Sequence, residues 1–121
     1  MQSNSSIVNV KWSELSKLLH KKSSDKIISI KITDPENVVL DASDKKGSLG
    51  YKILNYKGSS LLDFTPSDFF ESKYNGDTGL FANCKSLYGI GNLSINIIDA
   101  NNMFRNCTNL KKVSMAGFIN V

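Results

Sequence analysis

The segment LFANCKSLYGI at 80–90 returns 23 positions later as MFRNCTNLKKV at 103–113, and this spacing constrains the fold more than any other feature of the chain. Setting 80–98 over 103–121 matches Phe81 with Phe104, Asn83 with Asn106, Cys84 with Cys107 and Leu87 with Leu110. Apolar character is kept where Leu80 meets Met103, Ile90 meets Val113, Ile95 meets Phe118 and Ile98 meets Val121. A period in the twenties is the mark of a solenoid whose units each supply one strand and a tighter return segment. One coil of that length cannot bury its own aromatics. Two stacked coils place Phe81 on Phe104 and Leu87 on Leu110, which makes a continuous core. The asparagine before each cysteine suits a turn, with its amide satisfying loop backbone groups. SLLDF at 60–64 reads as a degenerate earlier rung, with Leu62 and Phe64 standing where Ile90 and Val113 stand later.

Upstream, WSELSKLLHKK predicts a short amphipathic helix capped by Ser13, with Trp12, Leu15, Leu18 and Leu19 on one stripe. Lys17, Lys21 and Lys22 face water, the last two at the negative end of the helix dipole. DKIISIKI alternates, with Ile28, Ile30 and Ile32 on one face, and TDPEN turns the chain into VVLDA. Residues 27–42 therefore predict a hairpin. YKILNYK predicts a third strand that ends at Gly58-Ser59-Ser60, and Pro66 suits the first turn of a helix presenting Phe69 and Phe70.

The motif MFRNCTNLKKVSMAGF, preceded by NIIDANN, resembles the BspA-like leucine-rich repeats of bacterial surface proteins, common in mycoplasma-type lipoproteins. Met103, Phe104, Cys107, Leu110, Val113, Met115 and Phe118 occupy that pattern in the second copy. Leu80, Phe81, Cys84, Leu87 and Ile90 occupy it in the first. Ser114 stands where the family has Asp and Ala116 where it has Ser, and the first copy drifts after Ile90. The resemblance covers about residues 80–121. It implies an α/β fold: a short leucine-rich-repeat-like solenoid of two to three rungs at 61–121. Residues 1–60 would form an N-terminal helix-plus-strands cap, the whole making one compact domain.

Composition narrows the function. The 121 residues carry 15 Lys and Arg against 11 Asp and Glu, a formal net charge of +4 that favours acidic partners. No apolar run approaches the roughly 20 residues needed to span a bilayer. The start, MQSNSSIVNVKW, lacks the basic and apolar regions of a signal peptide. The expectation is a cytoplasmic protein if the chain is full length, and a cell-surface one if it is a fragment. Cys84 and Cys107 are too few for a disulfide scaffold and lack the further soft ligands of a zinc site. Both read as stacked core thiols. His20 has no nucleophile or orienting carboxylate evidently paired with it. KYNGDTG at 73–79 reads as a plain turn rather than a calcium loop. GIG at 89–91 lacks the third glycine of a phosphate-binding loop. No enzyme, cofactor or metal is expected.

Two surfaces remain. With Leu87, Ile90, Leu110, Val113 and Met115 turned inward, Tyr88, Gly89 and Gly91 face outward beside Lys111, Lys112 and Ser114. Tyr88, Lys111, Lys112 and Ser114 are therefore the candidate partner-binding residues. The alternative is a basic patch in DKKGSLGYKILNYKG: Lys45, Lys46, Lys52 and Lys57 interleaved with Tyr51 and Tyr56. Such lysines could hold phosphates and the tyrosines could stack on bases, although nucleic acid is disfavoured against a solvated strand face. The leading expectation is a non-enzymatic protein–protein interaction module of the surface-repeat type, able to self-associate through its C-terminal edge. The alternative is a small intracellular inhibitor of a nucleic-acid enzyme, of the kind that phages and mobile elements encode.

Overall fold

A computed structural model describes residues 6–67, 70–72, 79–95 and 102–115. The first strand, β1 (Ile7–Val10), half-buries Val8 and Val10 and leaves Ile7 and Asn9 exposed. A 3-10 turn at Trp12–Glu14 leads into α1 (Leu15–His20). Ser13 lies inside that turn and caps nothing, because the chain tightens before α1 begins. The expected stripe is present: Leu15 and Leu19 are buried, and Trp12 and Leu18 pack against the same core. Then β2 (Ile27–Ile32) buries Ile28, Ile30 and Ile32 along one face.

No hairpin follows. Pro35 opens a second 3-10 turn, Pro35–Asn37, and residues 38–42 run on without strand structure. The edge of β2 is already taken by β1, which pairs with it in parallel from Ile7↔Ser29 to Val10↔Ile32. The Trp12 N–H donates to Asp34 Oδ1 at 2.7 Å, and the Thr33 N–H to the Val10 carbonyl at 2.9 Å. These two bonds hold the turn against β1.

The segment expected as a third strand is instead helix α2 (Leu49–Leu54). Ser48 is its N-cap, accepting a hydrogen bond from the Tyr51 N–H at 3.0 Å and donating its hydroxyl to the Ala42 carbonyl at 3.0 Å. Leu49 and Ile53, four apart, are buried together on one helical face. The β-favouring Tyr51 and Ile53 suggested alternation, but the cap and the burial of Leu49 decide for the helix.

Strand β3 (Leu61–Phe64) pairs in parallel with β2 through Ile28↔Leu62. Past it, β4 (Phe70–Ser72) is a strand where a helix presenting Phe69 and Phe70 was expected. A turn at Thr65 and Pro66 intervenes, and its Ser67 completes β2 in place of a strand residue. The Ser67 hydroxyl donates to the Ile30 carbonyl at 3.0 Å and accepts from the Ile32 N–H at 3.0 Å. Buried backbone groups need such partners.

Two further strands, β5 (Leu87–Ile95) and β6 (Lys112–Met115), complete a mixed α/β architecture around one all-parallel sheet. Its order is β1-β2-β3-β5-β4, with β6 on the other edge of β5. β3 pairs with β5 up to Phe64↔Ile90, and β4 takes the same edge from Phe70↔Leu93. Partner residues lie 22, 34, 25 and 23 positions apart in Ile7↔Ser29, Ile28↔Leu62, Leu62↔Leu87 and Ile90↔Val113. Phe64 thus stands level with Ile90 and Val113 as expected, while Leu62 is level with Leu87. The sheet runs without interruption across residue 60.

The repeated skeleton is laddered between its two copies. The Phe81 N–H donates to the Met103 carbonyl at 2.9 Å. Asn106 Nδ2 donates to Asn83 Oδ1 at 2.7 Å. Asn83 and Asn106 both hold the left-handed conformation, at φ of 67° and 61°, which suits asparagine in turns. Cys84 is buried and Cys107 only partly so, and both thiols are free. Their Sγ atoms donate separately, Cys84 to the Gly50 carbonyl and Cys107 to that of Phe81.

Val113 departs from the expectation: it is 46% exposed rather than turned into a closed core. It lies on β6, whose partner among the described residues is β5 alone, so no further strand there covers it. Phe69, residues 73–78 and the pairings of Ile98, Phe118 and Val121 lie outside the described residues. Among the described residues no helix is long and apolar enough to cross a membrane.

Candidate functional site

The outer face of the sheet gathers three of its polar side chains at β3, β5 and β6. Asp63 sits between Leu62 and Phe64, so alternation turns it away from the core they enter. Its partner in register is Gly89, and Gly89 in turn is level with Lys112. A β-carbon on Gly89 would collide with Asp63 Oδ1, so the glycine is what lets this carboxylate lie flat over the strand. Asp63 is 4% exposed, and its Oδ1 accepts from the Thr65 N–H at 3.0 Å and the Thr65 hydroxyl at 2.7 Å. The Lys112 ammonium reaches Asp63 Oδ2 at 3.8 Å and stands 5.7 Å from the centre of the Tyr88 ring.

Of the four residues expected to bind a partner, Tyr88 and Lys112 are thus brought together directly. Tyr88 is the extra residue where the β3–β5 register shifts, and its carbonyl accepts from the Lys111 N–H at 2.8 Å. Lys111 is exposed beside them, and Ser114 lies on β6. Asp63 was missed by the sequence reading, although its odd position in LLDF carried the signal. A half-exposed lysine at 3.8 Å from a carboxylate contributes little to stability. What the ion pair does is fix the ammonium over the tyrosine ring, giving a preset aromatic and cationic surface.

The alternative patch is a cavity. Five of its expected residues, Lys46, Tyr51, Lys52, Tyr56 and Lys57, line a space of about 770 Å³ between α1 and α2. Lys45 is exposed outside it. The end of α1 supplies the facing wall, with His20, Lys21 and Lys22, which the sequence reading had left as solvated helix. Reading 51–57 as a strand hid this opposition, because only a helix at Leu49–Leu54 sets Tyr51 and Lys52 against α1. The Lys52 ammonium donates to Ser16 Oγ at 2.8 Å and lies 5.0 Å from the Trp12 ring centre. His20 Nδ1–H donates to the Ser16 carbonyl at 2.6 Å, the carbonyl having no proton to give.

Burial raises the Cys84 thiol to about 12, with the neighbouring Cys107 adding to the shift. Burial also raises Cys107, while a hydrogen bond to the Cys84 backbone pulls it partly back. Both shifts favour the protonated thiol over the thiolate. Among the described residues no group of three or more His, Cys, Asp or Glu is placed to hold a metal ion.

No family model, no curated protein and no solved structure matches the chain.

Proposed function

We propose that the protein is a non-enzymatic protein-binding module, a short leucine-rich-repeat-like solenoid that recognises its partner with the outer face of its strands. The observation that carries this reading is the Asp63–Lys112–Tyr88 constellation on the outer face of an all-parallel sheet. A parallel ladder with steps in the twenties and thirties supports the solenoid reading, in which residues before β3 act as the cap. The resemblance to surface-protein repeats supports a protein as the ligand. Tyrosine gives a large contact area at little entropic cost. Lys111 and Lys112 would steer an acidic partner. Exposed Val113 on β6 supports self-association along that edge as a second use of the same surface.

The inhibitor reading is supported less. An inhibitor lodged in a nucleic-acid enzyme would have to face that enzyme's own cationic channel, and like charges across an interface are costly.

The test is affinity capture with the wild-type chain and two double variants. Tyr88→Ala with Lys111→Glu should lose a partner that Lys52→Glu with Lys57→Glu retains. Both changes lie at surface or partly exposed positions, so melting temperatures should hold within a few degrees. The opposite pattern, retention by the first variant and loss by the second, would move the interface to the α1–α2 cavity.

A further inference from the structure

We propose that the cavity between α1 and α2 binds a small phosphate ester carrying a flat aromatic ring, a ligand of the nucleotide class. This goes beyond the protein-binding reading and uses none of its residues.

Charge comes first. Lys21, Lys22, Lys46, Lys52 and Lys57 all line the cavity, and among the described residues no Asp or Glu does. Five positive groups at one place exceed the +4 carried by the whole chain. Among the described residues none of the five is ion-paired, whereas Lys112 pairs with Asp63. A plain alternative is that these lysines neutralise helix ends, since α1 and α2 both terminate at this cavity. Two helix C-termini supply at most about one unit of negative charge between them. The lysines outweigh that several-fold, so the cavity remains a place where an anion is stabilised.

The apolar half of the lining sets the ligand class. Tyr51 and Tyr56 line the cavity and are both half-buried, so part of each side chain stays open to a ligand. Tyr56 folds back over Gly58, where a β-carbon would collide with the phenol, so the glycine leaves room for the ring beside the lysines. A base stacked on such a ring gains affinity whatever its identity. Lys52 is held by Ser16 rather than free to wander, which lowers the entropic cost of adding a phosphate to it. The volume, about 770 Å³, falls within the range of small-molecule sites. Lysines that converge from three segments on one cavity suit a compact polyanion better than the extended track a nucleic-acid strand needs.

Calorimetric titration of the full chain tests this, with adenosine triphosphate, inorganic tripolyphosphate, an oligothymidylate and a polyglutamate peptide as probes. Adenosine triphosphate should bind one to one, and more weakly as salt rises from about 50 to 200 mM. Tripolyphosphate should bind about tenfold more weakly for want of a base to stack. Lys46→Glu with Lys57→Glu should lower nucleotide affinity about tenfold or more, with an unchanged circular dichroism spectrum. Tyr56→Leu should weaken adenosine triphosphate and leave tripolyphosphate unchanged. Equal affinity for the two phosphates would overturn the aromatic half of the assignment. Tighter binding of the oligothymidylate or the peptide would overturn the ligand class. No nucleotide binding at ~1 mM, or a lysine double variant that binds like wild type, would overturn the site itself.

Discussion

The rings of Phe81 and Phe104 stack with centroids 5.9 Å apart and planes only 8° from parallel. They stand 23 residues apart at equivalent places in the repeated skeleton, so this contact joins its two copies. Phe81 is fully buried and Phe104 partly so. Phe81→Ala should cost about 3–5 kcal/mol in urea denaturation. Phe104→Ala should cost less, about 2 kcal/mol, because that ring is only partly buried and the stacking itself is worth about 1 kcal/mol. A larger loss at Phe104 than at Phe81 would mean that the stack is not the joint between the copies.

Asn106 offers a finer probe, since its backbone and its amide contribute separately. At φ 61° a glycine fits without strain, whereas alanine does not. Asn106→Gly should therefore lose only the bond to Asn83, about 1 kcal/mol at an exposed site. Asn106→Ala should cost about 1 kcal/mol more, the penalty of a left-handed residue with a β-carbon. Equal losses for the two variants, measured side by side, would remove the backbone argument.

The cysteines predict a pH dependence. Cys84 keeps its proton in the folded state up to about 12, against an ordinary value of 9.0. Between those values the unfolded chain has released the proton and the folded chain has not, so rising pH favours unfolding. The stabilisation is complete below 9 and is lost as pH climbs from 9 towards 12. Urea midpoints should fall across that window, and Cys84→Ser should flatten the fall. Alkylation at pH 8 should be slow in the native protein and fast in denaturant, with the partly buried Cys107 reacting before Cys84. A native Cys84 that reacts as fast as a free thiol would contradict its burial.

What the sequence could tell varied with how local the controlling physics was. Alternation in IISIKI was enough to place Ile28, Ile30 and Ile32, and the repeat was enough to stack Phe81 on Phe104. Leu49–Leu54 was read wrongly because Tyr51 and Ile53 favour strands, while the decisive Ser48 cap was counted as loop. The failed hairpin has a non-local cause: β2 had two possible neighbours, and IVNV, too short a segment to announce a strand, takes the edge. On the sheet face the register shift between Leu62 and Asp63 puts Asp63 beside Gly89 rather than Tyr88, and no single-sequence pattern encodes that shift. The α1–α2 cavity follows the same logic. Its lysines were individually visible, but their convergence depends on a helix that had been assigned as a strand.

The Asn83–Asn106 bond gives this part of the chain a natural unit of length. An insertion or deletion of a few residues between the two copies moves an amide, an aromatic ring and a strand out of alignment at once. On the solenoid reading proposed above, adding a complete 23-residue turn would leave each donor facing an acceptor and each ring facing a ring. The chain would then be brittle to small changes of length and tolerant of whole turns, so a duplicated copy of 80–102 should lengthen the sheet by one strand without redesign of its neighbours.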